Sequence, residues 1–358
     1  LLGRRYPGID AEALLAALQD ASMIYPLTTG FHWGALDFQW YVECSCSRDN
    51  EAGTVSGYHD LHSFLTHETH PGTDLLTIPA FVEATVAGRK VAGTTPLERA
   101  AQLEAHAERA LDGVALLSSG GNLELWQQLE DIRAMAHLGL HYSHKIRAAT
   151  AIALHWATNS REHRESAVRH AREAALEWRT YVSYLSAAHQ SPVWFNRIGE
   201  VDWKLFYLDV LHDVRSLGGN VDLPSMERTP GGTILEAETG RTDAPEKTLR
   251  EASAEGPGYL EFSAYRSGDR YVEWDYEAPA DGRYVLEVRY SVGQMEMRDA
   301  QVVIDGEPAG TVGLWGTGGR DNWCWDRTTV ELERGRRTLR LYPNGEFRID
   351  HLKVIPIR

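Results

Sequence analysis

The sequence predicts a multidomain protein, an α-helical bundle followed by an all-β sandwich. Three observations predict it. The chain has 358 residues, more than a single hydrophobic core usually serves. Through residue 225 the apolar residues recur at helical spacing, and beyond it they alternate with polar ones, as strands require. Between the two patterns "NVDLPSMERTPGG" (220–232) has the proline and glycine content of a linker. We therefore expect a helical domain over 1–225, a linker over 226–232 and a β domain over 233–358.

"DAEALLAALQDASMIY" carries a helical stripe through Leu14, Leu15, Leu18 and Met23. Residues 28–79 are rich in Gly, His, Trp and Asp and leave room only for short helices. So long a loop-rich stretch inside a bundle is uncommon unless it works or packs against a neighbour. "TTPLERAAQLEAHAERALDGVALL" opens with Thr95 as N-cap, Pro96 in the first helical position and Glu98 closing a capping box. Residues 121–157 contain no proline and only Gly139 inside, consistent with a helix ~50 Å long. After a break at Thr158 and Asn159, a stripe runs through Ala167, Ala171, Ala174, Trp178 and Leu185. A further helix starts at an Asp202 cap and stops at Gly218-Gly219. Long helices with short connections imply antiparallel neighbours.

The second half reads as short strands, among them "YVEWDYEAP", "GRYVLEVRYSV", "RTTVELERGRRTLRLYP" and "FRIDHLKVIPI". Turns fall at Ala280-Asp281-Gly282, Asp305-Gly306 and Arg334-Gly335. About eight to ten strands in this length make a sandwich.

Composition excludes several functions. A net charge of −15 argues against a nucleic-acid partner, because phosphate binding needs a basic surface. No apolar run approaches the roughly 20 residues that cross a bilayer, so no membrane association is expected. The chain opens "LLGRRYPGID", with neither methionine nor signal peptide, and we expect a piece of something longer. Cys44, Cys46 and Cys324 make no disulfide framework. Cys44 and Cys46 share a C-x-C spacing that rarely forms a disulfide of acceptable geometry. The usual zinc-ligand pairs are missing, so structural zinc is not expected. Of the eleven tryptophans, most must serve core packing, although an exposed indole face is a common sugar platform.

The β half resembles the family 6 and family 35 carbohydrate-binding modules. "ILEAETG" (234–240), "GPGYLEF" (256–262), "SGDRYVEWDYEAPADGRYVLEVRYS" (267–291), "GLWGTGGRDNWCWDRTTVEL" (313–332) and "FRIDHLKV" (347–354) match that family in order. The resemblance implies a jelly-roll sandwich that binds a polysaccharide or oligosaccharide. It implies a structural calcium ion held by Glu236, Glu238 and Asp350, a set of hard oxygen ligands that calcium prefers. It also implies a loop-built sugar site at one end of the sandwich, drawing on Tyr259, Arg298, Trp323 or Trp325, and Asn344. An indole stacks on a pyranose face, and an arginine fork suits hydroxyls or a uronate. Scaffold packing competes for each of these residues, most of all for Trp325. One departure bears on the site: where the family commonly has asparagine before I-D-H-L, this chain has Arg348.

"GFHWGALDFQWYVECSCSR" (30–48), "GYHDLHSFLTHETHPGTD" (57–74) and "DIRAMAHLGLHYSHKIRAAT" (131–150) resemble the helical region near the C-terminus of secreted bacterial α-glucuronidase-like glycoside hydrolases. That resemblance implies a secreted or periplasmic carbohydrate-active protein. It would be the C-terminal part of a hydrolase of plant or algal polysaccharide, including uronic-acid-containing ones, with an upstream catalytic domain as partner. Two alternatives stand beside it: a self-sufficient lyase or hydrolase with its site in 28–79, and a non-catalytic tail that dimerises through the bundle.

For a self-sufficient enzyme the candidates are His32, Asp37, Glu43, His59 and Asp60, joined by Tyr58 and Arg133. A lyase needs a base, an acid and a group that neutralises a carboxylate, and a hydrolase needs two carboxylates such as Asp37 and Glu43. His59, His62, His67 and His70 lie within a short stretch, but a break near Pro71 divides them, so metal binding is the minor reading. His137, His141 and His144 recur at helical spacing and read, with Tyr142, as a polar helix face.

Overall fold

The computed structural model describes residues 1–31, 40–48, 55–189, 193–196, 199–204, 206–221, 223–226, 229–242, 258–262, 270–293 and 298–357. Its helices are α1 (Leu2–Arg5), α2 (Ala11–Ser22), α3 (Ile24–Thr29), α4 (Leu61–Thr66), α5 (Ile78–Val86), α6 (Pro96–Ala115), α7 (Leu123–Thr158), α8 (Arg161–Ala188) and α9 (Phe206–Ser216). Short strands β1 (Trp40–Tyr41), β2 (Cys46–Arg48) and β3 (Val55–Tyr58) form a small antiparallel sheet, and β4 (Val193–Asn196) pairs with β5 (Gly199–Asp202). The chain divides into two compact units. The first comprises Leu1–Ser118, Gln127–Leu185 and Ser191–Val221; the second comprises Ser119–Trp126, Ser186–Gln190 and Asp222–Arg358.

Local chemistry accounts for the helix ends. Thr95 Oγ1 accepts the Glu98 N–H, and Glu98 Oε2 accepts the Thr95 N–H, so two donors at the start of α6 are satisfied reciprocally. Asp10 caps α2 by accepting the amides of Glu12 and Ala13. The stripe Ala100, Leu103, Ala107, Ala110 and Val114 buries α6 against α2. On α2 the buried residues are Leu14, Ala17 and Ala21, whereas Leu15 and Met23 are exposed. The apolar stripe is thus turned from the one expected, because small side chains allow a close approach: a Cβ at Gly113 of α6 would stand 3.0 Å from Ala17 Cβ.

α7 is the long helix expected, and Gly139 inside it has a packing reason. A Cβ there would lie 2.5 Å from Ile24 Cδ1 of α3. Asn159, with φ of 55°, breaks the chain between α7 and α8. The helices run antiparallel: His137 meets Glu177 (2.7 Å), His141 Nδ1 meets the Ala174 carbonyl (2.8 Å) and His144 meets His170 (3.1 Å). The three α7 histidines therefore line a seam instead of a solvated face. The α8 stripe from Ala167 to Leu185 is buried as its spacing predicts. α9 begins at Phe206, later than the Asp202 cap implied.

The second unit is a sandwich of two antiparallel sheets. Its strands are β6 (Thr233–Glu236), β7 (Arg241–Thr242), β8 (Leu260–Phe262), β9 (Val272–Ala278), β10 (Gly282–Ser291), β11 (Arg298–Ile304), β12 (Glu307–Leu314), β13 (Cys324–Leu332), β14 (Gly335–Asn344) and β15 (Phe347–Pro356). One sheet has the order β13-β10-β15-β6, with β8 also on β15; the other is β12-β11-β14-β9-β7. Alternation fills the core: Leu286, Val288 and Tyr290 of β10, Val272 and Trp274 of β9, Leu339 and Leu341 of β14, and Leu352 and Val354 of β15 are buried. Asp305 and Gly306, both at positive φ (51° and 91°), make the tight β11–β12 hairpin that their sequence signals.

Candidate functional site

The sheet β12-β11-β14-β9 carries on its outer surface an open groove of about 630 Å³. Strand period explains its lining. With Leu339 and Leu341 turned to the core, Arg340, Tyr342 and Asn344 of β14 share the outer face. Across the ladder Asn344 stands opposite Asp299, and Tyr342 opposite Gln301. Arg270 and Thr311 complete the polar lining.

Arg340 organises the groove. Its Nε donates to Glu273 Oε2 at 2.7 Å, its Nη1 donates to the Tyr342 hydroxyl at 2.6 Å, and its guanidinium lies 4.2 Å from the Tyr271 ring centroid. The Tyr271 and Tyr342 rings are 5.8 Å apart at 57°. Burial opposes ionisation of Glu273, but Arg241 and Arg340 outweigh it and hold the carboxyl below its ordinary value. The result is a fixed aromatic and cationic floor edged by amide, hydroxyl and carboxylate groups. Such a surface both donates to and accepts from a hydroxyl-rich ligand.

The residues expected at the sandwich end are placed differently from one another. Asn344 is exposed and Arg298 partly so. Gly345, at φ 116°, gives Arg298 its room, since a Cβ there would lie 3.0 Å from Arg298 Cδ and Nε. Tyr259 and Trp323 are fully buried and Trp325 is 3% exposed, so none offers an open ring face. Tyr259 packs on Trp323 with ring centroids 5.4 Å apart. Arg348 covers Tyr259, its guanidinium 4.8 Å from the ring centroid, while its side chain pairs with Glu261 (3.4 Å) and donates to the Arg320 carbonyl (3.1 Å). Arg327 covers Trp325 in a similar way, at 4.5 Å. The departure from asparagine thus puts a cation over the Tyr259 ring.

For calcium, Glu236 ends β6 and Glu238 lies in the short 3-10 turn that follows. Both Glu238 carboxylate oxygens are buried with no hydrogen-bond partner in the structure. An unneutralised buried carboxylate is costly, which fits a hard cation. Asp350 fits less directly. It is fully buried, with Oδ2 2.9 Å from Arg289 Nε and 3.1 Å from His351 Nδ1. Among the described residues no three His, Cys, Asp or Glu side chains already stand in metal-holding geometry.

In the helical unit, His32 and Asp37 lie outside the described residues. Asp60 caps α4 by accepting the Ser63 N–H at 3.0 Å. His59 is buried beside His67, with rings 5.3 Å apart, and burial, then His67 and Lys145, push its pKa down to about 3. Glu43 is raised by burial, and its backbone carbonyl accepts the Tyr181 hydroxyl at 2.8 Å. Arg133 pairs with Glu130 at 2.6 Å. Asp60 and Arg133 are committed to separate local contacts, and Glu43 Oε2 is buried with no hydrogen-bond partner. The charged center that the sequence reading missed is Lys145 with Asp213, 3.2 Å apart; a lysine at a buried phase of an alanine-rich helix was its one visible signal. Among the described residues no helix is long and apolar enough to cross a membrane.

No family model matches the chain. Cycloisomaltooligosaccharide glucanotransferase of Niallia circulans is 32% identical to it over 138 residues, 36% of this chain. The chain spans only 14% of that enzyme's length. Among solved structures, the family 35 carbohydrate-binding module from Cellvibrio japonicus Abf62 is 25% identical, covering 35% of this chain and 94% of that one, with a TM-score of 0.32. The family 35 module from Paenibacillus barcinonensis is 26% identical, covering 35% and 99%, also with a TM-score of 0.32.

Proposed function

We propose that the β-sandwich binds a polysaccharide or oligosaccharide, as the accessory module of a longer, secreted or periplasmic bacterial carbohydrate-active enzyme. The observation that carries this reading is the groove on β11 and β14, where Asp299, Gln301, Tyr342 and Asn344 face outward around the Arg340–Tyr271 contact. Few precisely placed polar groups on an aromatic floor fix a ligand's orientation. Asn344 lines this groove, while Tyr259, Trp323 and Trp325, all buried, support the sandwich from the interior. The ordered motifs of the β half support the same reading, as does the likeness to an enzyme whose name specifies cycloisomaltooligosaccharides.

Calcium, held by Glu236 and Glu238 with Asp350 turned from Arg289, would brace the first strand without entering any reaction. The helical unit is the connector to an upstream glycoside hydrolase domain. An α-glucan is the first ligand to test, and a uronic-acid-containing plant or algal polymer the second.

The test is calorimetric titration of the full chain with isomaltooligosaccharides, dextran and glucuronoxylan, with and without calcium. Binding to one of these is expected, weakened about fivefold by Gln301→Ala or Asn344→Ala, the value of one hydrogen bond of about 1 kcal/mol. Equal affinity in both variants moves the site off the groove. No binding across the panel overturns the reading.

A further inference from the structure

Cys44 and Cys46 lie in the helical unit. Both are fully buried, and their Sγ atoms stand 3.1 Å apart, about 1 Å longer than a disulfide bond. In an extended strand, residues two apart stand about 6.6 Å from each other at Cα, near the upper limit for a disulfide. Here Ser45 takes the left-handed conformation (φ 47°, ψ 38°) between a 3-10 turn and β2, which draws the two side chains together. The backbone around them is pinned. Tyr142 of α7 donates to the Val42 carbonyl at 2.7 Å, Tyr181 of α8 to the Glu43 carbonyl at 2.8 Å, and the His59 N–H to the Ser45 carbonyl at 2.6 Å. Tyr41, Trp203 and Phe206 pack against the two cysteines.

We infer that Cys44 and Cys46 are a redox site, a dithiol that the fold holds ready to close into an intrachain disulfide in an oxidising compartment. The oxidant is a small-molecule or protein disulfide. One cysteine thiolate attacks it, giving a mixed disulfide and releasing one thiol. The second cysteine then attacks the mixed disulfide, forms the Cys44–Cys46 bond and releases the second thiol. Two cysteine sulfurs are oxidised, two oxidant sulfurs are reduced, and both cysteine protons leave on the released thiols. Burial raises the Cys44 thiol pKa, with the Cys46 contact adding to it, so exchange proceeds while the segment is open, during folding. A fold that favours the closed pair is in turn stabilised by it.

The full chain is unfolded and refolded in glutathione buffers of graded redox ratio, then its thiols are counted in denaturant. The count is expected to fall from three to one at oxidising ratios, with two hydrogens' mass lost from the peptide holding Cys44 and Cys46. Cys324→Ser is expected to fall from two thiols to none, which excludes Cys324 as the partner. Once refolded, the bond is expected to resist reduction until the chain is unfolded again. Three thiols at every ratio, or glutathione adducts that persist on Cys44 or Cys46, overturn the inference.

Discussion

Lys145 Nζ stands 3.2 Å from Asp213 Oδ2, with the two side chains only 1% and 7% exposed. A lysine survives in such a place because its donors are used. The ammonium also donates to the Tyr58 hydroxyl at 2.6 Å and to the His59 carbonyl, and it lies 4.0 Å from the Tyr58 ring centroid. Asp213 Oδ1 accepts the Leu61 N–H at 2.9 Å. Burial pulls Lys145 down and Asp213 up in pKa, and their mutual attraction opposes both shifts. One ion pair thus ties α7, α9 and the segment entering α4.

Removing one partner leaves a buried charge, so Lys145→Met is expected to cost about 3–5 kcal/mol of stability. Asp213→Asn keeps an acceptor for Leu61 and is expected to cost less. The double variant Lys145→Met/Asp213→Leu is expected to recover part of the loss. Urea unfolding measures all three, and a cost under about 1 kcal/mol for Lys145→Met contradicts the assignment.

This pair shows where sequence reading ends. Local chemistry was legible: the Thr95-Pro96-Glu98 helix start, the Asp305-Gly306 turn and the Ala167-to-Leu185 stripe each need only near neighbours. The α2 stripe was misplaced because which face is buried depends on how closely α6 approaches, and that is set by Gly113 and Ala17 in different elements. The same limit held for the proposed sugar site. Nothing in a sequence tells a buried Trp323 from an exposed one, and the outward positions Gln301 and Tyr342 look like any strand's polar face. Lys145 and Asp213 meet only because the fold brings α7 and α9 together.

The helical unit is expected to lose stability in mild acid. Burial, then neighbouring charges, holds His59 and His141 at a pKa of about 3, against 6.5 ordinarily. Below pH 6.5 the unfolded chain takes up protons that the folded chain cannot. The stabilisation is therefore complete above pH 6.5 and falls away toward pH 3, by about 1.4 kcal/mol per pH unit for each histidine. Urea midpoints at pH 7.0 and 5.5 read the slope, which His141→Phe is expected to reduce. A midpoint unchanged by pH contradicts the burial of both neutral imidazoles.

Calcium at Glu238 makes a prediction whose sign discriminates. With the ion bound, chelation lowers the melting temperature of the β unit by several degrees, and Glu238→Gln abolishes that response, since binding to the folded state alone stabilises by mass action. Without a bound ion, Glu238→Gln removes a buried carboxylate that lacks a hydrogen-bond partner, and raises the melting temperature whatever the calcium concentration. Calorimetry of the full chain in calcium and in chelator separates the two outcomes.

Arg348 is expected to decide whether the sandwich end can take a sugar. Its guanidinium lies over Tyr259 and is held by Glu261 and the Arg320 carbonyl. Arg348→Asn is expected to free the Tyr259 face at a cost of about 1–3 kcal/mol in stability, for the lost charge-assisted hydrogen bonds. In a Gln301→Ala background, where groove binding is weakened, the added Arg348→Asn is expected to restore sugar affinity, and a third change, Tyr259→Ala, to remove it again. Titration of these three variants with the polymer that wild type binds best gives the answer. If Arg348→Asn leaves affinity unchanged in that background, the guanidinium is part of the scaffold, and the groove alone carries recognition.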